Sequence, residues 1–460
     1  MTVVDRPQSP RGSVDRTRLA ELTAREATAF AAANPRSREL FERGRGTLLG
    51  GVPMSWMAKW AGGFPLFLDQ ARGARVVDAD GHEYVDFCLG DTGAMAGHAP
   101  PATVAAVAEQ AAKGITTMLP SEDSITAADE LTRRFGLRGW QFTLSATDAN
   151  RFAIRLAREI TERPKILVFD YCYHGTVDET FATRDGDRVV ARPGNVGPPV
   201  DLALTTKVVQ WNDTDALEQA LDPGDVACVL AEPALTNIGI VLPEPGFHDI
   251  LRQLTRRTGT LLVIDETHTF SAGPGGCTAA WELEPDLLTI GKAIGGGVPA
   301  GAYGVSDDVA ERIAAREGAD YEDVGGIGGT LAGNALSLAA VRATLTDVLT
   351  EEAFGRMIPL AARFAAGVAD VIESADLPWH VIELGARAEY RFSAPPPRDG
   401  AESAAAGDEE LERFLHLYAL NRGVLITPFH NMALMSPATT EADVDRHTEV
   451  FGEAVHDVLG

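Results

Sequence analysis

Between residues 100 and 310, short apolar runs alternate with helix-patterned segments, and this alternation constrains the fold more than any other feature of the chain. The runs lie at 142–144, 166–169, 226–231, 261–264 and 287–290. Continuous apolar runs this short read as strands buried on both faces, which requires helices above and below a mainly parallel sheet. The expected fold class is therefore α/β, with the sheet in a large domain over residues 96–345. Before it, residues 1–95 read as an N-terminal arm and a segment of a smaller domain. A helical pattern rich in alanine, arginine and glutamate runs from Arg16 to about Arg45, until Gly50, Gly51 and Pro53 break it. Residues 75–87 then alternate as a hairpin turning at Asp80-Gly81. After a helix over about 335–350, strand-like stretches at 390–392 and 424–426 predict a small C-terminal α+β domain, residues 346–460. The proline-rich stretch 395–407 reads as an exposed loop.

Composition narrows the partners. Of 460 residues, 45% are hydrophobic, enough for a sizeable core. Aspartate and glutamate outnumber lysine and arginine 66 to 40, and a net charge of -26 repels nucleic acid and anionic membranes alike. Small metabolites remain as partners. Four scattered cysteines without CxxC spacing argue against a disulfide framework or a zinc centre, and no metal site is expected. The first thirty residues mix Arg6, Arg11, Arg16 and Arg18 with small polar and acidic residues, with no apolar core of signal-peptide length. Apolar runs fall far short of the ~20 residues that span a bilayer. A soluble, cytoplasmic protein is the expectation.

The chemistry concentrates at two residues. Asp265 ends the apolar run 261–264, and a carboxylate buried there needs a cationic or donor partner. Lys292 follows twenty-seven residues later, in Gly291-Lys292-Ala293-Ile294-Gly295-Gly296-Gly297. Glycines let backbone approach a bulky ligand closely, and a partly desolvated amine is a nucleophile toward an aldehyde. The chain otherwise uses arginine almost throughout, with lysine only at Lys59, Lys113, Lys165 and Lys207. A lysine kept in this setting is therefore marked. At 144–150, small and hydroxyl residues precede an amphipathic helix, a junction whose free N–H groups and helix dipole suit a phosphate.

From about Phe41 to the C terminus the sequence resembles the class III aminotransferases, most closely their glutamate-1-semialdehyde aminomutase-like branch. The resemblance rests on Asp265, on Lys292 within residues 291–302, and on the segments around 145, 173, 232 and 330. It implies fold type I of the pyridoxal-phosphate enzymes, with pyridoxal 5'-phosphate held by Lys292 as a Schiff base and Asp265 paired to its pyridine nitrogen. Ser145, Ala146 and Thr147 would bind the phosphate, with Ala146 replacing the family's glycine. Tyr173, beside His174, would stack on the ring, Thr267 would pack on the opposite face, and His268 would reach the phenolate or the substrate. Glu232 would lie near the centre. Thr330 would reach the phosphate of a neighbouring subunit, which implies a homodimer with shared sites.

The same comparison exposes departures. Met57 stands where the branch has a carboxylate-binding arginine, Asn431 where it has a gating glutamate, and about Thr92 where it has a pocket tryptophan. Glutamate-1-semialdehyde is therefore not the expected substrate. Arg387 and Arg391 are candidates for a donor carboxylate, and His430 joins Trp56, Met57 and Trp60 at the presumed entrance. The expected reaction is transamination from an amino acid donor, such as glutamate, to a ketone or keto acid, with a cyclic keto acid of secondary metabolism as one conjecture. An aminomutase and a non-catalytic cofactor-binding protein are the alternatives.

Overall fold

The computed structural model describes residues 14–316 and 326–460. Arg6 and Arg11 lie outside them. A seven-stranded sheet runs, in spatial order, through Gly139–Thr143, Gly301–Val305, Leu287–Ile290, Leu261–Asp265, Val226–Ala231, Lys165–Phe169 and Thr206–Val209. Gly301–Val305 is antiparallel to both its neighbours, and the remaining pairs are parallel. Every residue of Val226–Ala231, Leu261–Asp265 and Leu287–Ile290 is buried, as continuous apolar runs demand of strands covered on two faces. The amphipathic helix Ala146–Thr161 supplies part of that cover, burying Phe152, Ile154, Leu156 and Ile160.

The two ends of the chain meet in a second sheet. The hairpin Arg75–Asp78 and Glu83–Asp86 forms as its Asp80-Gly81 turn requires, and Val424–Leu425 then pairs in parallel with Glu83–Asp86. The helix Arg16–Ala33 packs on Glu409–Leu420, and Arg422 pairs with the buried Glu26 at 3.1 Å. A third sheet joins His380–Leu384, Arg387–Arg391 and Met432–Leu434.

Three sequence expectations need correction. The N-terminal helical stretch is two helices, Arg16–Ala33 and Pro35–Gly44, because proline drives the preceding Asn34 out of the helical region and suits the first turn of a new helix. The stretch 395–407 contains the short helix Gly400–Ala405, capped by the Asp399 side chain accepting from Glu402 N at 2.8 Å. The helix beginning at Ala335 ends at Ala343 and passes into one wider turn, Thr344–Val348. Two strands of the seven-stranded sheet carried no clear sequence signal: Thr206–Val209 is short, and Gly301–Val305 is rich in small residues.

Candidate active site

The parallel strands deliver their C-terminal ends to one cavity of about 520 Å³. Lys292 leaves Leu287–Ile290 through Gly291, where an added Cβ would lie 2.9 Å from the Ala146 nitrogen, so only glycine admits this approach to the helix start. The lysine itself is left-handed, with φ 47°. Its Nζ donates to Asp91 Oδ2 at 2.7 Å and to His268 Nε2 at 2.8 Å. His268 Nδ1 faces Thr92 Oγ1 at 3.2 Å and Arg387 Nη2 at 3.3 Å. Burial and the neighbouring Lys292 charge hold the imidazole well below its ordinary pKa, so His268 is neutral. Burial opposes the charge on Asp91, yet Lys292 overrides it and keeps the carboxylate ionised.

Asp265 is 3% exposed and accepts three hydrogen bonds. Its Oδ2 accepts from Asn150 Nδ2 at 2.8 Å and from His174 Nδ1 at 2.9 Å, and its Oδ1 accepts from Thr267 N at 3.0 Å. Burial works against ionisation, but these donors, His174 first, hold the carboxyl below its usual range. His174 is pushed up to about 10: burial opposes its charge, and Cys172 and Asp265 outweigh burial. A protonated His174 therefore backs Asp265 and leaves the carboxylate face on the cavity for a second cation. Asn150 is itself fixed by Thr289 Oγ1 donating to its Oδ1 at 2.6 Å.

At the other end of the cavity, Ser145 caps the helix Ala146–Thr161 by accepting from Asp148 N at 3.2 Å. The first N–H groups of a helix have no intrahelical acceptor, which makes this end an anion site. Thr147 Oγ1 accepts from Thr176 N at 3.1 Å and sits so close to Gly175, at φ 74°, that no side chain fits there. Tyr173 forms another wall, half-buried, with its ring 5.9 Å from that of Trp56. Thr267 also lines the cavity, and its buried Oγ1 has no protein hydrogen-bond partner. An amine, an ionised acid, an aromatic wall and a phosphate cradle around one cavity match the parts of pyridoxal phosphate.

Several anticipated residues stand elsewhere. His174 supports Asp265 from behind rather than lining the cavity. Glu232 is likewise behind it: buried at the end of Val226–Ala231, held by Thr236, and pushed up to about 7 by burial. Thr330 lies outside this cavity and is exposed, on the surface where a residue reaching a neighbouring subunit would stand. Thr92 touches the site only through His268. Arg387 is fully buried behind His268, its Nη2 3.3 Å from Nδ1, and Arg391 turns away to Ser403 O at 2.7 Å. Asn431 faces His416 and Glu412, and Met57 is exposed while its neighbours Trp56 and Lys59 line the site. His430 does line a side chamber, with Nδ1 3.1 Å from Glu389 Oε1. Sequence reasoning missed Asp91, Asn150 and Lys59. The Gly90-Asp91 turn offered only the faint signal of a glycine beside an acid.

This fold and this constellation define a pyridoxal-phosphate enzyme of fold type I, and pyridoxal 5'-phosphate is its cofactor. The chain belongs to the class III aminotransferase family, whose model matches residues 56–455. It is 36% identical over 419 residues to a glutamate-1-semialdehyde 2,1-aminomutase of Desulfitobacterium hafniense, covering 89% of this chain and 95% of that one. A solved glutamate-1-semialdehyde aminomutase from Pseudomonas aeruginosa superposes with a TM-score of 0.94 at 49% identity, over 97% of this chain and 99% of that one. An omega-transaminase from Sphaerobacter thermophilus gives 0.84 at 31% identity, over 92% and 98%.

Proposed function

We propose that the enzyme is an aminotransferase that moves an amino group from an amino acid donor, such as glutamate, to a ketone or keto-acid acceptor. The observation that carries the reading is the Lys292 amine, held at 2.7 Å by Asp91 and 2.8 Å by neutral His268, at the mouth of the cavity that Asp265 closes from below. When bound, pyridoxal phosphate supplies an electron sink for the bond broken at the substrate carbon. Asp265 would keep the ring nitrogen protonated, Ser145, Ala146 and Thr147 would take the phosphate, and Tyr173 and Thr267 would flank the ring. Lys292 would carry a proton between carbon and nitrogen of the substrate, with His268 and Asp91 orienting its amine.

A second reading is favoured by the names of the relatives: an aminomutase that returns the nitrogen to the same substrate skeleton. Met57, exposed where that branch uses an arginine, argues against glutamate-1-semialdehyde as the substrate. The acceptor is proposed to be a keto acid of unusual, cyclic shape. A homodimer in a reducing cytoplasm completes the proposal, with Thr330 reaching across to the partner's phosphate; the exposure of Thr330 and the four buried free thiols fit it. Purified holoenzyme exposed to a panel of amino donors, followed by visible absorbance and by mass spectrometry of the products, tests the reaction. Release of the donor's keto acid is the expected result. A spectral change without any released keto acid overturns transamination.

A further inference from the structure

We infer that Lys59 selects a carboxylic acid substrate, binding its carboxylate across a side chamber from the reacting amine; the inference rests on the cofactor-dependent reading above. The chamber, about 220 Å³, shares Trp56, Tyr173 and His268 with the main cavity. Asp91 and His268 form one end, and both contact Lys292 Nζ. Lys59 lines the same chamber, with its Nζ 5.7 Å from the Trp56 ring centroid and 5.6 Å from that of Phe429.

The two rings therefore flank the exposed ammonium beside the chamber. Among the described residues no carboxylate lies within 4.0 Å of that nitrogen. Its donors are open to a ligand. Asp91, the acid of the chamber, turns its Oδ2 to Lys292 Nζ at 2.7 Å rather than to Lys59. The other cations near the centre do not compete: Arg387 is sealed behind His268, and Arg391 is spent on Ser403 and Glu412. Aromatic walls from Trp56, Tyr173 and Phe429 with one free ammonium suit an acid whose body is flat or ring-bearing. A carboxylate reaching Lys59 gains a charge-assisted hydrogen bond, worth roughly two- to fivefold in affinity, since the lysine is exposed.

The test compares 3-phenylpropanoate with 3-phenylpropanamide, a pair alike in body and different in charge, by calorimetric titration into holoenzyme. Wild type should bind the acid about two- to fivefold more tightly than the amide. Lys59→Met keeps a stem over the rings and should abolish the preference, and Lys59→Arg should restore it. No preference in wild type, or a preference that survives Lys59→Met, overturns the inference. Borohydride reduction and peptide mapping of all three proteins separates the two layers. Label at Lys292 together with a failed acid preference removes only the Lys59 assignment, whereas absence of label at Lys292 removes the cofactor reading and this inference with it.

Discussion

Replacing His447 with phenylalanine should make the protein markedly less sensitive to acid. His447 lies in the helix Glu441–Leu459, 1% exposed, with its ring centroid 4.2 Å from that of Phe364, 5.8 Å from Phe87 and 6.0 Å from Phe451. Its Nδ1 has no hydrogen-bond partner, and burial pushes its pKa down to about 3. Above the unfolded value of about 6.5 the ring is neutral in both states and contributes nothing to the pH dependence. Below it, the unfolded chain takes up a proton that the native chain refuses, and native stability falls by about 1.4 kcal/mol for each pH unit. Between pH 6.5 and 5.0 that amounts to roughly 2 kcal/mol from this one side chain. The phenylalanine variant lacks the group and is nearly the same size, so it should match wild type within about 1 kcal/mol at pH 7.5 and exceed it by about 2 kcal/mol at pH 5.0. Urea midpoints by circular dichroism at the two pH values, in the same cofactor state, measure the difference. Other depressed histidines, such as His416 at about 4, are common to both proteins and cancel. An identical gap between wild type and variant at both pH values would refute the reasoning.

Two further substitutions probe the site. Asn150→Ala removes a donor to the buried Asp265 and strands the Thr289 hydroxyl, so stability of the cofactor-free protein should fall by roughly 2–4 kcal/mol, read from urea midpoints; a change below about 0.5 kcal/mol would show that Asp265 does not depend on it. Gly175→Ala places a Cβ against Thr147 at a positive φ, so cofactor affinity should drop at least about tenfold in a fluorescence titration, and unchanged affinity would mean that Thr147 does not shape the phosphate cradle.

The buried strands were legible because their burial on both faces writes an unbroken apolar run, as at Val226–Ala231. Gly301–Val305 was not, since it sits where a Cβ on Gly301 would strike the backbone of Ser145 at 2.6 Å and one on Gly304 the Trp140 ring at 2.8 Å, so packing selects small residues that read as a turn. At the site, Asp265 and Lys292 stood out because a charge next to an apolar run needs a reason. Asp91 escaped because its reason is a lysine 201 positions away, a contact that local pattern does not encode. Arg387 and Arg391 share one face of their strand, yet only Arg387 approaches His268, since the two sites lie at opposite ends of that strand. Which end meets the cavity is set by tertiary packing, not by the two-residue period.

The pairing of Val424–Leu425 with Glu83–Asp86 has a consequence for biosynthesis. A ribosome releases the hairpin first, but the edge strand that covers it emerges only after residues 87–423 have been made. The early segment must wait with an uncovered edge through all of that synthesis, when nascent chains are prone to stick to one another. Trimming the carboxyl end back past Val424 would leave that edge open for good.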